Sequence, residues 1–249
     1  MQTKQAMILA AGKGTRLKPL TDSKPKALVE IAGKPMIQII IERLKEEGFT
    51  HITVNVCHFA QMIEDFLKAN NNFNIHINIS DESREPLDTG GAIKHAAKYF
   101  DHTAPLLIHN TDIISNANLA MLYENIKEED ALLLVNNRKT NRLLLFENRK
   151  LAGWINTETQ KSKTATQNKD ISKLTPLAFS GIHVIQPALI KEMNNMQDKF
   201  GIIDFYLQHF QTHQIKAFVQ ENLLMVDAGK PQSLAEAEQL LNKIKCNKK

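Results

Sequence analysis

The feature that constrains this chain most is the passage from an apolar run, KQAMILAA at residues 4–11, straight into a glycine-rich basic loop. An apolar run of that length stopped by glycine reads as a buried strand. The stretch LAAGKGTRLKPLTDSKPKAL, residues 9–28, holds two glycines, five basic residues and two prolines. Glycines let backbone N–H groups approach a ligand and cations neutralise its charge, so the loop has the composition of a phosphate cradle; a solvated basic turn uses the same residue types.

The pattern around the loop is α/β, with a mostly parallel sheet covered by helices. A helix is expected from near Pro35, with Met36, Ile37, Ile40, Ile41 and Leu44 inward and a stop at Gly48. HITVNV then reads as a strand, AQMIEDFLKA as a helix, FNIHINIS as a strand, GAIKHAAKYF as a helix and APLLIH as a buried strand. After Asn116 comes one helical segment, NLAMLYENI. The short strands DALLLVNN, NRLLLFEN and KLAGWIN follow close together, as in an antiparallel addition. Residues 158–173 lack hydrophobic periodicity and read as a mobile loop. Beyond them LAFSGIHVI, IKAFVQ and LLMVD are strands and IIDFYLQHF is a helix, with KPQSLAEAEQLLNKI a closing helix that has Pro231 in its first turn. We expect a single domain over 1–249, in two halves, 1–116 and 117–230, with 231–249 a helix and tail.

Composition excludes other classes. No run approaches the roughly eighteen apolar residues of a membrane span, so no membrane role is expected. Cys57 and Cys246 are the only cysteines and have no paired spacing, which fits a reducing, cytoplasmic setting. The net charge of +4 is matched by Lys243, Lys245, Lys248 and Lys249 alone, and the aromatic residues form no stacking motif, so no nucleic-acid partner is expected.

A dinucleotide fingerprint needs a third glycine where Leu17 stands, and a Walker loop needs Gly-Lys-Ser/Thr, which Gly12-Lys13-Gly14-Thr15 does not supply. What remains is Gly12-x-Gly14-Thr15-Arg16-Leu17, Pro19-Leu20-Thr21 and Lys24-Pro25-Lys26. This pattern resembles the signature of the sugar-1-phosphate nucleotidyltransferases. The resemblance implies a three-layer αβα Rossmann-like fold with a mixed, mostly parallel sheet and an antiparallel sugar-binding addition. It implies that the first half, 1–116, mainly binds a nucleotide and the second, 117–230, mainly a sugar phosphate. It also implies that Ala10, Ala11, Gly12, Gly14 and Thr15 wrap a nucleoside triphosphate, that Arg16 pairs with the leaving phosphates, and that Lys26 reaches the phosphate under attack. Arg offers a planar fork for several oxygens, whereas Lys is a compact charge that can follow one.

Nucleotidyl transfer uses a divalent cation, and Mg²⁺ is usually held by one or two carboxylates plus substrate phosphates. Asp112 follows PLLIH and Asp227 follows LLMV, both at carboxyl ends of strands, where open α/β sheets bind ligands; an Asp at such a place is also a common turn or cap residue. HNTDIISN and VDAGKPQSLAEAE are similar to the family's two metal segments, which implies Asp112 and Asp227 as Mg²⁺ ligands. Thr111 departs from the usual glycine, and Asn116 stands where many members carry another acid. EPLDTGGAI, residues 85–93, is similar to the segment beside the base and sugar, implying Asp88, Thr89 and Gly90 as nucleotide contacts; a plain helix N-terminus capped by Thr89 explains the same residues.

The implied reaction is attack of a sugar 1-phosphate on the α-phosphorus of a nucleoside triphosphate, giving a nucleotide sugar and pyrophosphate. MILAAGKG, VNVCHFAQMIEDFL, EPLDTGG, FSGIHVIQPAL and SLAEAE together look most like the N-acetylmuramate 1-phosphate uridylyltransferases of bacterial cell-wall recycling, with mannose and heptose 1-phosphate guanylyltransferases close behind. A cytidylyltransferase acting on a phosphorylated alcohol would share the loop and metal, and a silent nucleotide-sugar sensor would share the fold. Ser180 and Gly181 match a sugar-pocket segment, or equally a buried strand with a tight glycine contact. Trp154 reads as a core residue or a sugar-stacking ring, and His209 and His213 as one partly exposed helix face.

Overall fold

The computed structural model describes residues 3–164 and 171–246. The chain opens with β1 (Lys4–Leu9), a small hairpin of β2 (Glu30–Ile31) and β3 (Lys34–Pro35), then α1 (Met36–Glu46), β4 (Phe49–Val56), α2 (Ala60–Ala69), β5 (His76–Asp81), α3 (Asp88–Ala96) and β6 (Leu106–Asn110). There follow β7 (Ile113–Ser115), α4 (Leu119–Glu124), β8 (Ala131–Asn136), β9 (Arg142–Glu147), β10 (Lys150–Asn156) and β11 (Lys161–Thr164). The last part holds β12 (Thr175–Ile185), α5 (Pro187–Glu192), α6 (Ile202–His209), β13 (Ile215–Val219), β14 (Met225–Asp227) and α7 (Pro231–Cys246).

The periodicity of α1 has the expected result. Met36, Ile37, Ile40, Ile41 and Leu44 are all buried, and the helix gives way at Gly48, whose φ is +87°. Along β1, Ala6 and Ile8 enter one apolar layer and Met7 the other, the period-two alternation of a strand covered on both faces. The first layer packs α1, α2, α4 and α7 on the sheet; the second packs α3, α5 and α6. The result is the three-layer α/β/α arrangement.

In the central sheet β5, β4, β1 and β6 are parallel neighbours. β12 is inserted antiparallel between β6 and β8, and β13 runs parallel to β8. Past β13 the sheet ends in β10 and β11, with β9 pairing both β10 and β12. Chain order reverses at β1, which lies between β4 and the later β6, so the carboxyl ends of β1 and β6 frame a crevice. β7 and β14 form a separate two-stranded antiparallel ribbon above that edge.

The expectation of a loop over 158–173 is corrected in part. Lys161–Thr164 form β11, in antiparallel register with Gly153–Asn156, because polar side chains alone suffice for an exposed edge strand. Ile171–Lys173 form a short 3-10 turn, and residues 165–170 lie outside the described residues.

Two imidazoles are taken out of water by this sheet. Burial lowers the pKa of His183, on β12, to about 3, and neither of its ring nitrogens bonds a described residue. Burial likewise holds His109, on β6, at about 3, although its Nδ1 bonds Asn110 O at 2.8 Å. Unfolded histidines bind protons below about pH 6.5, so the unfolded state gains protons that the folded state refuses. The stability is therefore present above about pH 6.5 and lost as pH falls toward 3, with a limiting slope of about 1.4 kcal/mol per pH unit for each histidine. Urea titrations at about pH 7.5 and 5 should show this loss. His183→Phe should reduce the slope by about one proton; an unchanged slope would remove His183 from the account.

Candidate active site

The crevice between β1 and β6 opens into a cleft of about 560 Å³. Its floor is closed by Thr111, whose Oγ1 and backbone N–H both donate to Leu9 O, at 2.6 and 3.3 Å. The residue that departs from the usual glycine thus ties the ends of the two strands together. Ala10, Ala11, Gly12 and Lys13 form one wall. Gly12 faces open space, with no atom within 4 Å of where a Cβ would stand. Gly14 takes a left-handed φ of +64°, and its carbonyl accepts from Leu17 N and Thr21 Oγ1, both at 2.8 Å. A side chain there would meet Lys26 Cβ at 2.9 Å, so Gly14 supports the lysine stem and does not line the cleft. Thr15 begins the turn Thr15–Leu17, anchored by fully buried Leu17.

The two aspartates meet through the β7–β14 ribbon. Asp227 is in register with Ile113, the residue after Asp112, and Ala228 N donates to Asp112 O at 2.8 Å. Lys26 Nζ pairs directly with Asp112 Oδ2, both side chains being largely buried at 15% and 13% exposure. Arg16 Nη2 stands 3.9 Å from Asp227 Oδ1 in a more open position, and Gly229 N donates to the same oxygen at 2.9 Å. Gly229 marks the point of convergence. A Cβ there would lie 2.6 Å from Arg16 Nη2, 2.7 Å from Asp227 Oδ1 and 3.0 Å from Asp112 Oδ2. Two carboxylates on a small open space fit a hard divalent cation that completes its shell with phosphate oxygens. Among the described residues no cluster of three or more His, Cys, Asp or Glu side chains could hold a metal unaided.

Asn116 uses both ends of its amide. Its Oδ1 accepts from Leu224 N at 2.7 Å while its Nδ2 donates to Asn222 O at 3.1 Å. A carboxylate could not make the second bond. From below, half-buried Arg43 of α1 donates to the Ser115 and Ala117 carbonyls and pairs with Glu47. The ribbon carrying both aspartates is thus clamped on each side.

At the far end of the cleft stand Asn55, Glu82, Pro86, Asp88 and Thr89. Asn55 Oδ1 accepts from Ala10 N at 2.7 Å, and its Nδ2 donates to Glu82 Oε1 at 2.8 Å. Burial raises the Glu82 pKa despite the bonds from Asn55 and Leu87 N. The sequence reasoning missed Asn55 and Glu82. The available signal was a polar residue inside the apolar run ITVNV and an acid just past the next strand. Asp88 lines the cleft with φ +59°, a conformation Asp tolerates better than most side chains. Thr89 does not cap its own helix: Oγ1 accepts from Ile202 N at 2.9 Å, at the start of α6. Gly90 is turned away from the cleft. Its N–H donates to Phe200 O, and a Cβ would lie 2.3 Å from the Phe200 ring, so helix packing requires this glycine.

Ser180 and Gly181 occupy an irregularity in β12 between Phe179 and His183, at the same sheet edge as the crevice. Neither lines the cleft; Gly181 abuts Asn110, with a Cβ position 2.6 Å from Asn110 Nδ2, and Ser180 is buried. Trp154 packs against the second apolar layer, away from the cleft. His209 bonds Phe205 O through Nδ1, and its ring lies 5.6 Å from that of His213 on a partly exposed face.

Gly229→Ala tests the convergence, since its methyl meets only side-chain ends and costs little stability while displacing the aspartates and arginine. Tm should move by no more than a few degrees, while turnover falls about 10²-fold. Full activity would mean that the three side chains are not held to this geometry.

Residues 5–143 match the family model described as "Nucleotidyl transferase". The chain is 30% identical to an N-acetylmuramate alpha-1-phosphate uridylyltransferase of Caulobacter vibrioides over 94% of this chain and 96% of that protein. It is 28% identical to a D-glycero-alpha-D-manno-heptose 1-phosphate guanylyltransferase of Campylobacter jejuni over 92% and 96%. The crystal structure of HddC from Yersinia pseudotuberculosis complexed with GMP-PN superposes with a TM-score of 0.76 at 26% identity, covering 96% of this chain and all of that one. With the signature loop at the mouth of the crevice and matches of this extent, the chain belongs to the nucleotidyl transferase family, among its sugar-1-phosphate nucleotidyltransferases.

Proposed function

We propose that this enzyme transfers a uridylyl group from UTP to N-acetylmuramate 1-phosphate with Mg²⁺, releasing pyrophosphate, as a step of peptidoglycan recycling in the cytoplasm. The observation that carries the reading is the meeting of Lys26, Arg16, Asp112 and Asp227 beside an open phosphate-sized cleft. The name of the Caulobacter relative supports the choice of UTP and sugar. In this reading residues 1–116 hold the nucleotide and 117–230 the sugar phosphate, with Ser180 and Gly181 shaping the strand end behind Asn110 instead of touching the sugar.

Asp112 and Asp227 would hold the Mg²⁺. The bound ion supplies Lewis-acid neutralisation of oxygens on both reactants. Amides of Ala11 and Gly12 bind the triphosphate along the open wall. Lys26 orients and neutralises the phosphate under attack, while Arg16 receives charge on the departing pyrophosphate. Asp88 and Thr89 face the nucleoside. No general base is needed, because a phosphate monoester with a second pKa near 6 is already largely ionised at neutral pH. Catalysis is then positioning and charge neutralisation.

A second reading, guanylyl transfer to a mannose or heptose 1-phosphate, is favoured by one observation. The cleft lining includes two acceptor side chains, exposed Asp88 and the largely buried Glu82, next to Asn55. Guanine offers adjacent N–H donors there, whereas uracil offers one between two carbonyls.

A panel of four nucleoside triphosphates against several sugar 1-phosphates, read as pyrophosphate released, separates these readings. UTP with N-acetylmuramate 1-phosphate should give the highest kcat/KM. A maximum with GTP selects the second reading, and no turnover with any pair replaces both with a nucleotide-sugar sensor. Lys26→Ala should lower kcat by about 10²–10³-fold while changing nucleotide affinity only a few-fold; equal losses would restrict Lys26 to binding. Asp112→Asn or Asp227→Asn should raise the Mg²⁺ concentration needed for half-maximal rate by about tenfold or more.

A further inference from the structure

The same convergence that suits a metal also obstructs it. Asp112 is already paired with Lys26 in a largely buried contact, and Asp227 with Arg16 at 3.9 Å. Two negative charges therefore face two positive ones before any ligand arrives. A bare divalent cation entering here would have to displace the Lys26 ammonium, leaving it poorly solvated and beside a doubly charged ion. Like charges at that separation in a partly desolvated site repel strongly. A metal–triphosphate complex meets no such barrier. The triphosphate carries about four negative charges near neutral pH, so it offers new partners to both displaced side chains as the metal takes over the aspartates.

Lys13 completes the asymmetry. It lines the cleft beside Gly12, is exposed, and has no ion-pair partner among the described residues. It is the cleft cation whose charge remains uncompensated, because Lys26, the other lysine in the wall, is engaged. An incoming phosphate chain is drawn first to Lys13.

We propose that Lys26 and Arg16 neutralise Asp112 and Asp227 and that the divalent cation is admitted only together with the nucleotide. The metal–triphosphate takes Asp112 from Lys26 and Asp227 from Arg16, after capture by Lys13, and the two released cations pass to the phosphates. The ion pairs therefore act as a lock against free metal. This rests on the reading of Asp112 and Asp227 as the metal ligands.

Free Mn²⁺ measured by electron paramagnetic resonance tests the exchange without using turnover. The wild-type protein alone should bind Mn²⁺ at least tenfold more weakly than in the presence of α,β-methylene-UTP, with α,β-methylene-GTP run alongside. Lys26→Met should bind Mn²⁺ alone at least tenfold more tightly than wild type, and Arg16→Gln should show a smaller gain, since its pair is longer and more exposed. Lys26→Arg keeps the charge and should show no gain, which separates lock release from general loosening; thermal melts establish that each variant is folded. Lys13→Ala should weaken binding of the methylene nucleotide several-fold and leave free Mn²⁺ binding as in wild type.

Equal Mn²⁺ affinity in Lys26→Met and wild type overturns the lock while leaving the metal assignment intact, provided Asp112→Asn still abolishes binding. Tight Mn²⁺ binding that persists in Asp112→Asn overturns the assignment and the lock together. Nucleotide affinity unchanged in Lys13→Ala removes Lys13 from the capture step. The transfer reaction stands or falls separately, on the pyrophosphate panel.

Discussion

One backbone hydrogen bond organises the functional end of this molecule: Ala228 N to Asp112 O, continuing the β7–β14 ladder. It joins residues 116 positions apart and sets the strand ends that carry Asp112 and Asp227 side by side. Everything near it serves to hold that pairing. Asn116 clips the approach to β14, Arg43 fastens the end of β7 to α1, and buried Ala228 leaves no room for the ribbon to shift. The carboxylates can thus be brought close despite their repulsion because the repulsion is met by rigid backbone pairing and by Lys26 and Arg16.

Much of this architecture was legible in the sequence. The apolar spacing in AQMIEDFLKA delimits α2, and its Ile63 and Leu67 are buried as that spacing requires. The mostly parallel first half and the antiparallel addition follow from alternating strands and helices before Asn116 and short clustered strands after it, whereas the reversal at β1 is seen only in the fold. The signature loop and the two aspartates were likewise readable, because each lies directly behind an apolar strand.

What stayed hidden depends on pairing across long separations. β14 was readable within LLMVD, but β7 is only three residues long, too short to show a period, and the pairing of the two is a long-range event. Thr89 looks like a cap for its own helix, yet caps α6 from across the fold. Asn55 near the end of β4 and Glu82 just past β5 form a buried link that no local pattern announces. Gly90 sits in a ligand-like motif but is required by the Phe200 ring. Local patterns report which face a residue buries; they do not report which distant group it will meet.

The insertion of β12 against the direction of its neighbours has an architectural outcome. β8 and β12 lie next to each other in the sheet, and the chain between them runs outward through β9, β10 and β11 before returning to the place it left. That excursion is tied back to the sheet by β9 on β12 and by the start of β10 on β13. No residue of β9, β10 or β11 lines the cleft, so the length of this excursion can change without altering the walls of the crevice.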